Sequence, residues 1–222
     1  MIVVLISANA EWRAVRAYYP DLQPEQTPFG EWLETTIHDQ PVVLMHGGWG
    51  KIAAAGSTQY AIDRWNPALL INLGTCGGLA GAIQRGEIVL VTETLVYDIL
   101  EQMTDPQAAL EHFHTRLDLS WLPKPLPYPV RPAPLFSADR DILASDVPHL
   151  RDELGAIACD WESGAIAWIA ARNAIPCLIL RGVTDLVDEH SGEAYGNVAV
   201  FHDGATHVLT TLLNQLPTWL DL

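Results

Sequence analysis

Positive charge is scarce in this chain of 222 residues: Lys and Arg number 12 against 27 Asp and Glu, a formal charge of -15. Neutralising a phosphate backbone or an anionic bilayer takes clustered cations, and the nearest thing to a cluster is Arg13 with Arg16. Partners of nucleic-acid or membrane type are therefore not expected. Long apolar runs are also missing, since none approaches the ~18 residues that a membrane span requires. The apolar start, Met1-Ile2-Val3-Val4-Leu5-Ile6, has no basic leader or cleavage site and reads as a buried first strand, not as a signal peptide. Cysteine is limited to 3 residues. Cys76, Cys159 and Cys177 lie in apolar stretches without metal-type spacing, which predicts buried free thiols in a reducing, cytoplasmic setting. His46, His112, His114 and His190 show no ligand spacing either, so no metal or cofactor is expected.

What the chain does have is apolar material, 49% of its residues, enough for one sizeable core and a single domain over 1–222. Ile2 to Ala8 is a continuous β-branched run of the kind buried on both faces of a sheet. Asn9 and Ala10 are read as a turn, and Glu11 opens a helix with Trp12, Val15 and Tyr19 at helical spacing. Glu31 to His38 alternates and pairs with Val42 to Met45 across Asp39-Gln40-Pro41. Buried strands are expected over Ala68 to Leu73 and Gly86 to Thr94, and a final helix over Ala199 to Gln215. Residues 105–136, interrupted by Pro123, Pro125, Pro127, Pro129, Pro132 and Pro134, read as a long loop of functional or interfacial type. Ser137 to Asp141 is read as the start of a short helix. Strands alternating with helices predict an α/β fold in three layers, with a mixed, mainly parallel central sheet.

Chemistry gathers at four places. Glycines follow strands at His46-Gly47-Gly48-Trp49-Gly50-Lys51 and at Gly74-Thr75-Cys76-Gly77-Gly78, where a backbone must approach something closely. The first is not a Walker loop, whose spacing differs. Two apolar runs deliver acids, at Cys159-Asp160-Trp161-Glu162 and at Arg181-Gly182-Val183-Thr184-Asp185, as at the ligand-binding carboxyl edge of an open α/β sheet. Asp160 has an alternative reading as a helix cap.

These four blocks, in this order, resemble the nucleoside phosphorylase and nucleosidase family, and within it the 5'-methylthioadenosine/S-adenosylhomocysteine nucleosidases. Gly48 to Ala55 is similar to that family's Gly-Ile-Gly-Lys-Val-Ala-Ala-Ala, and Asn72 to Gly78 to its Asn-Thr-Gly-Ser-Ala-Gly-Gly. Cys159 to Glu162 stands for Val-Glu-Met-Glu, and Arg181 to Asp185 for Arg-Ala-Ile-Ser-Asp. The resemblance implies that Asp185 is the general acid at purine N7, oriented by Thr184, and that Glu162 binds the ribose hydroxyls. It implies a further Glu that activates water after strand one. Counted without gaps this position is Trp12, but a one-residue deletion brings in Glu11, whose bland reading is a helix-start acid. Trp161, Thr75, Gly77, Trp49 and Ile142 complete the implied substrate-binding set.

Water is the expected nucleophile. The position where hexameric phosphorylases carry an Arg is Asn72, and the early Gly-Asp-Pro-x-Arg loop is missing. Arg13, Arg16 and Arg181 keep phosphorolysis as an alternative, and a nucleoside-binding module without turnover is another. Asp141 stands where the family has an aromatic residue against adenine, so the base stays open. The resemblance also implies a homodimer, with the segment around Trp121 as the candidate contact.

Overall fold

The strand Ile2–Ile6 (β1) divides the molecule. Ile2, Val4 and Ile6 enter one apolar core, and Val3 and Leu5 enter another, because successive side chains leave a strand on opposite faces. The computed structural model describes residues 1–221. After β1 come α1 (Asn9–Tyr18), β2 (Glu25–Gln26), β3 (Glu31–Ile37), β4 (Gln40–His46), α2 (Gly50–Trp65), β5 (Leu69–Leu79) and β6 (Ile88–Val96). Then follow α3 (Pro106–His112), β7 (His114–Arg116), β8 (Arg131–Ser137), β9 (Ala158–Asp160), α4 (Ser163–Arg172), β10 (Cys177–Val187) and α5 (Val198–Leu220). Trp12 and Val15 of α1 share a core with Val208, Leu212 and Leu216 of α5, while Ala54 and Ala61 of α2 join Ile166 and Ala170 of α4 on the other face. Two helical layers thus enclose one mixed sheet, the three-layer α/β arrangement expected.

The sheet runs β10-β6-β8-β9-β5-β1-β4-β3-β2, and β10 also pairs with β5. Strands β5, β10, β6, β8 and β9 therefore close on themselves, while β1, β4, β3 and β2 extend outward. The longest pairings, β5 with β10 and β6 with β8, are parallel. Closure turns the far ends of β5, β9 and β10 toward one another.

Several local expectations need correcting. Asn9 and Ala10 are not a turn but the first residues of α1. The β3–β4 turn is the pair His38 and Asp39, with φ of 47° and 62°, and Gln40 already pairs with Ile37. Two left-handed residues suit the twist of a tight hairpin. The glycine block and Asp185 are not strand ends. They lie inside β5 and β10, which run on to Leu79 and Val187.

Residues 105–136 are not one loop. Asp105 caps α3 by accepting from the N–H groups of Gln107 and Ala108, and β7 and β8 follow, leaving 117–130 irregular. Pro132 and Pro134 are tolerated because β8 meets β9 only from Leu135 onward, so its first half has one free edge. The helix expected from Ser137 is absent. Ser137 ends β8, and Asp139 is drawn off by distant partners, accepting from Lys51 N at 2.7 Å and donating its own N–H to Asp98 at 3.0 Å. α5 is longer than expected, carrying Pro217 and burying Trp219 and Leu220.

Candidate active site

Strand register builds the site. Asp185 sits beside Gly77 and Gly182 beside Thr75, so the β5–β10 pair sets two polar side chains and an acid along one wall. β9 supplies Trp161 and Glu162 as it passes into α4, α1 brings Glu11, and the start of α2 brings Trp49. These residues, with Gly77, Thr184 and Ile142, line one cavity of about 720 Å³, so all nine expected site residues converge.

Its floor is a buried charge cluster around Arg181, which is 1% exposed. The guanidinium donates to Asn72 Oδ1 at 2.7 Å, Thr75 O at 3.1 Å and Ser163 Oγ at 3.0 Å. Carboxylate oxygens of Asp160, Glu162 and Glu11 lie 3.0, 3.6 and 4.0 Å away. Gly74 is required here, because an added Cβ would fall 2.4 Å from the Arg181 Nη1 atom.

The three carboxyl groups differ in what remains free. Asp160 is spent: it accepts from Ser137 Oγ at 2.5 Å, from the N–H groups of Glu162 and Ser163, and from the Ser163 hydroxyl. The helix-cap reading of Asp160 fits these contacts, since they satisfy the open N–H groups at the start of α4. Glu11 accepts from Thr75 N at 2.7 Å and Thr75 Oγ1 at 2.8 Å with one oxygen, and from Ala8 N at 3.0 Å with the other. It is thereby fixed in place, as a helix-start acid and as a wall of the cavity. Glu162 has one oxygen on Gly50 N at 3.1 Å. That N–H is presented by a backbone at φ 84°, which favours glycine. Burial, with Asp160 and Glu11 close by, pushes the Glu162 carboxyl up to about 8 despite Arg181.

At the other end, Thr184 Oγ1 donates to Asp185 Oδ1 at 2.6 Å, leaving Oδ2 without a partner among the described residues. Burial raises the Asp185 pKa above the ordinary carboxyl value, the Thr184 bond opposing it. Tyr195 closes this end by donating to Ile142 O at 2.5 Å. The Trp49 and Trp161 rings stack with centroids 4.7 Å apart and planes 23° off parallel, forming an aromatic wall beside Glu162.

A family model described as Phosphorylase superfamily matches residues 2–215. The chain belongs to that superfamily. Among curated relatives, a 5'-methylthioadenosine/S-adenosylhomocysteine nucleosidase of Oceanobacillus iheyensis is 26% identical over 170 residues, covering 72% of this chain and 74% of its own length. Among solved structures, the Helicobacter pylori 5'-methylthioadenosine/S-adenosylhomocysteine nucleosidase bound to butyl-thio-DADMe-Immucillin-A superposes with a TM-score of 0.78 at 14% identity, over 97% of each chain. Futalosine hydrolase of Helicobacter pylori does so with a TM-score of 0.79 at 15% identity, over 97% of this chain and 96% of its own. Two differently named hydrolases fit equally well, so the fold leaves the substrate to the site.

Within this superfamily member the sequence reading missed the outer cavity. Arg13, Tyr195, Phe201 and His202 also line it, and no block motif covers them. They come from the exposed face of α1 and from the segment leading into α5, where helical spacing alone does not say which residues meet. In the sequence Arg181 stands out only as part of a block. Its place directly after the apolar run Cys177 to Leu180 is the available signal that a buried cation needs partners. Asn72 is occupied on both sides, accepting from Arg181 and donating to Leu5 O at 2.9 Å.

Proposed function

We propose that the chain hydrolyses the N-glycosidic bond of a purine nucleoside, releasing the free base and a sugar hydroxylated at C1. The observation that supports this most is the convergence of Asp185 and Glu11 on one cavity with Glu162 between Trp161 and Arg181. Asp185, whose pKa burial raises and which keeps one oxygen free, is placed to deliver a proton to N7, which makes the base a neutral leaving group. Departure of the base leaves cationic character on the sugar. Three carboxyl groups around a single guanidinium leave this dry floor short of positive charge, which complements the transition state better than it does the neutral substrate. Burial favours the protonated form of Glu162, and the ribose hydroxyls and the developing cation draw it toward the carboxylate. Glu11, with both oxygens fixed by N–H and O–H donors, orients the attacking water. Thr75 and Gly77 line the sugar wall, Trp161 and Trp49 cover the sugar face, and Thr184 orients Asp185.

Water is favoured over phosphate as nucleophile because Arg181, the cation at the cavity floor, is engaged by Asp160, Glu162 and Asn72, and Arg13, which also lines the cavity, is exposed. The test is base release from a panel of purine nucleosides, with and without added phosphate. Turnover that strictly required phosphate would overturn the hydrolase reading.

The same reading takes the chain as a homodimer, through a different face than residues near Trp121. The Trp121 indole donates to Asp118 O of its own chain and neighbouring Leu122 is buried. Ile52, Leu100 and Met103 are instead 89%, 80% and 93% exposed, beside the Trp49 edge of the cavity, and Lys51 ties the two segments together through Asp98. Covering such a surface is the usual work of a second copy. A sedimentation run on Ile52→Asp giving only monomer supports this face, and an unchanged dimer removes it. Three buried thiols, all with pKa values raised by desolvation, fit a reducing cytoplasm and a passive structural role.

A further inference from the structure

Glu11 is held from behind as well as from the cavity side. Its Oε1 accepts from Thr75 N and Thr75 Oγ1, while Oε2 accepts from Ala8 N alone, at 3.0 Å. A carboxylate oxygen has room for two donors, so Oε2 is the atom that can still take a water. Its direction therefore depends on how firmly the Ser7–Ala8 peptide is held. Neither of the usual devices holds that peptide. It lies beyond the ladder, because β1 ends at Ile6, and the cap position of α1 is Ala8, whose side chain offers no hydrogen bond.

His46 supplies the missing contact. The imidazole Nε2 lies 3.1 Å from Ser7 O, and among the described residues that carbonyl has no other hydrogen-bond partner. A carbonyl can only accept, so Nε2 carries the proton. Desolvation lowers the His46 pKa, against the Ser7 contact and the nearby Glu11 and Glu31 carboxylates, and keeps the ring neutral at pH 7. Trp12 fixes the ring plane by stacking on it, with centroids 5.5 Å apart and planes 8° off parallel. The indole is anchored in turn by donating to Glu31 Oε2 at 2.8 Å. Gly30 leaves room for the ring, since a Cβ there would fall 2.8 Å from His46 Nδ1.

The Ser7–Ala8 peptide is trans, so its C=O and N–H point to opposite sides. The imidazole thus holds one end of the unit and the Glu11 carboxylate the other. Donation to the carbonyl also polarises the amide and strengthens its N–H as a donor. We infer that His46 is a positioning residue for Glu11, holding the Ser7–Ala8 peptide so that the Ala8 N–H keeps Glu11 Oε2 directed at the attacking water. This rests on the nucleosidase reading and adds to it a residue that does not line the cavity.

The test separates the N–H from the ring. His46→Phe keeps a flat ring against Trp12 and removes the donor, whereas the amide of His46→Gln reaches Ser7 O as Nε2 does. His46→Asn, with a shorter arm, does not. One lost hydrogen bond corresponds to a factor of about three to ten. The kcat for base release should fall by about that much in His46→Phe and His46→Asn, with KM within about twofold. His46→Gln should stay within about twofold of wild type on both. Glu11→Gln removes the group through which His46 acts, so adding His46→Phe to it should cost less than a further twofold. An unchanged kcat in His46→Phe, a His46→Gln as slow as His46→Phe, or a full second loss on the Glu11→Gln background would overturn the inference. A slow Glu11→Gln would in each case leave the nucleosidase reading standing. If Glu11→Gln matched wild type instead, the water-orienting role of Glu11 would fail and the inference with it. The Ala8 amide proton, followed by NMR, reads the link independently of turnover. Its signal should move upfield in His46→Phe and return in His46→Gln, and a signal indifferent to both would refute the link.

Discussion

Asp185→Asn removes a proton and almost nothing else. The asparagine has the same shape, and its carbonyl oxygen still accepts the Thr184 hydroxyl, which now meets Asp185 Oδ1 at 2.6 Å. What is lost is the acid on Oδ2. A positioned general acid contributes roughly 10²–10⁴ in rate, or about 3–5 kcal/mol of transition-state stabilisation at 1.36 kcal/mol per decade. Because the carboxyl titrates above its ordinary value through burial, the wild-type rate should fall as pH rises through that raised pKa and the acid ionises. Stopped assays of base release by chromatography, over pH 5 to 9, read both effects. Expected are a kcat reduced by two to four decades, a KM changed by less than about threefold, an unaltered melting temperature and loss of the alkaline fall. A variant retaining a third of wild-type kcat would refute proton donation by Asp185.

Other consequences can be checked alongside. Arg181→Met leaves Glu11, Asp160 and Glu162 buried without their cation, so stability should fall by about 3–5 kcal/mol, a melting drop on the order of 10 °C for a chain of this size. A melt within 2 °C of wild type would show the carboxyl groups to be neutral without it. Glu162 has a folded-state pKa raised from 4.5 to about 8, so the stability it contributes is fully present below the ordinary value and is lost as pH rises through about 8. Glu162→Gln should therefore melt progressively higher than wild type between pH 5 and 9 while losing activity, and a variant less stable at pH 9 would contradict the desolvation argument. Trp161→Ala should raise KM about tenfold through loss of aromatic cover, with Trp49→Ala adding little beyond it because the rings act as one stack. Fully additive effects in the double variant would separate the two rings.

How much of this was legible beforehand follows from the range of the forces involved. β1, β5 and β10 announced themselves as β-branched or leucine-rich runs, since strands buried on both faces must be apolar throughout. The inner site was legible because its glycines and acids sit in short blocks. Gly50 and Gly74 are demanded by backbone geometry and by the approach of Arg181, and such demands leave a local mark. The closure of β5 onto both β10 and β9 was not legible, because ladder partners separated by about a hundred residues leave no trace in either strand alone. The helix expected from Ser137 failed for a similar reason, as Lys51 and Asp98 compete for Asp139 from elsewhere in the chain. Arg13 and His202 likewise meet only through the packing of α1 on α5. Pro132 and Pro134 misled the reading of 105–136, since proline suggests a loop until an unpaired strand edge is seen to accommodate it.

The central claim is that water, not phosphate, takes the base's place on the sugar. The most direct measurement is turnover of a purine nucleoside in H₂¹⁸O without phosphate, followed by mass spectrometry of both products. Hydrolysis predicts one ¹⁸O on the C1 hydroxyl of the sugar, none in the purine, and a rate indifferent to phosphate. Unlabelled sugar, or no base release until phosphate is added, would contradict it.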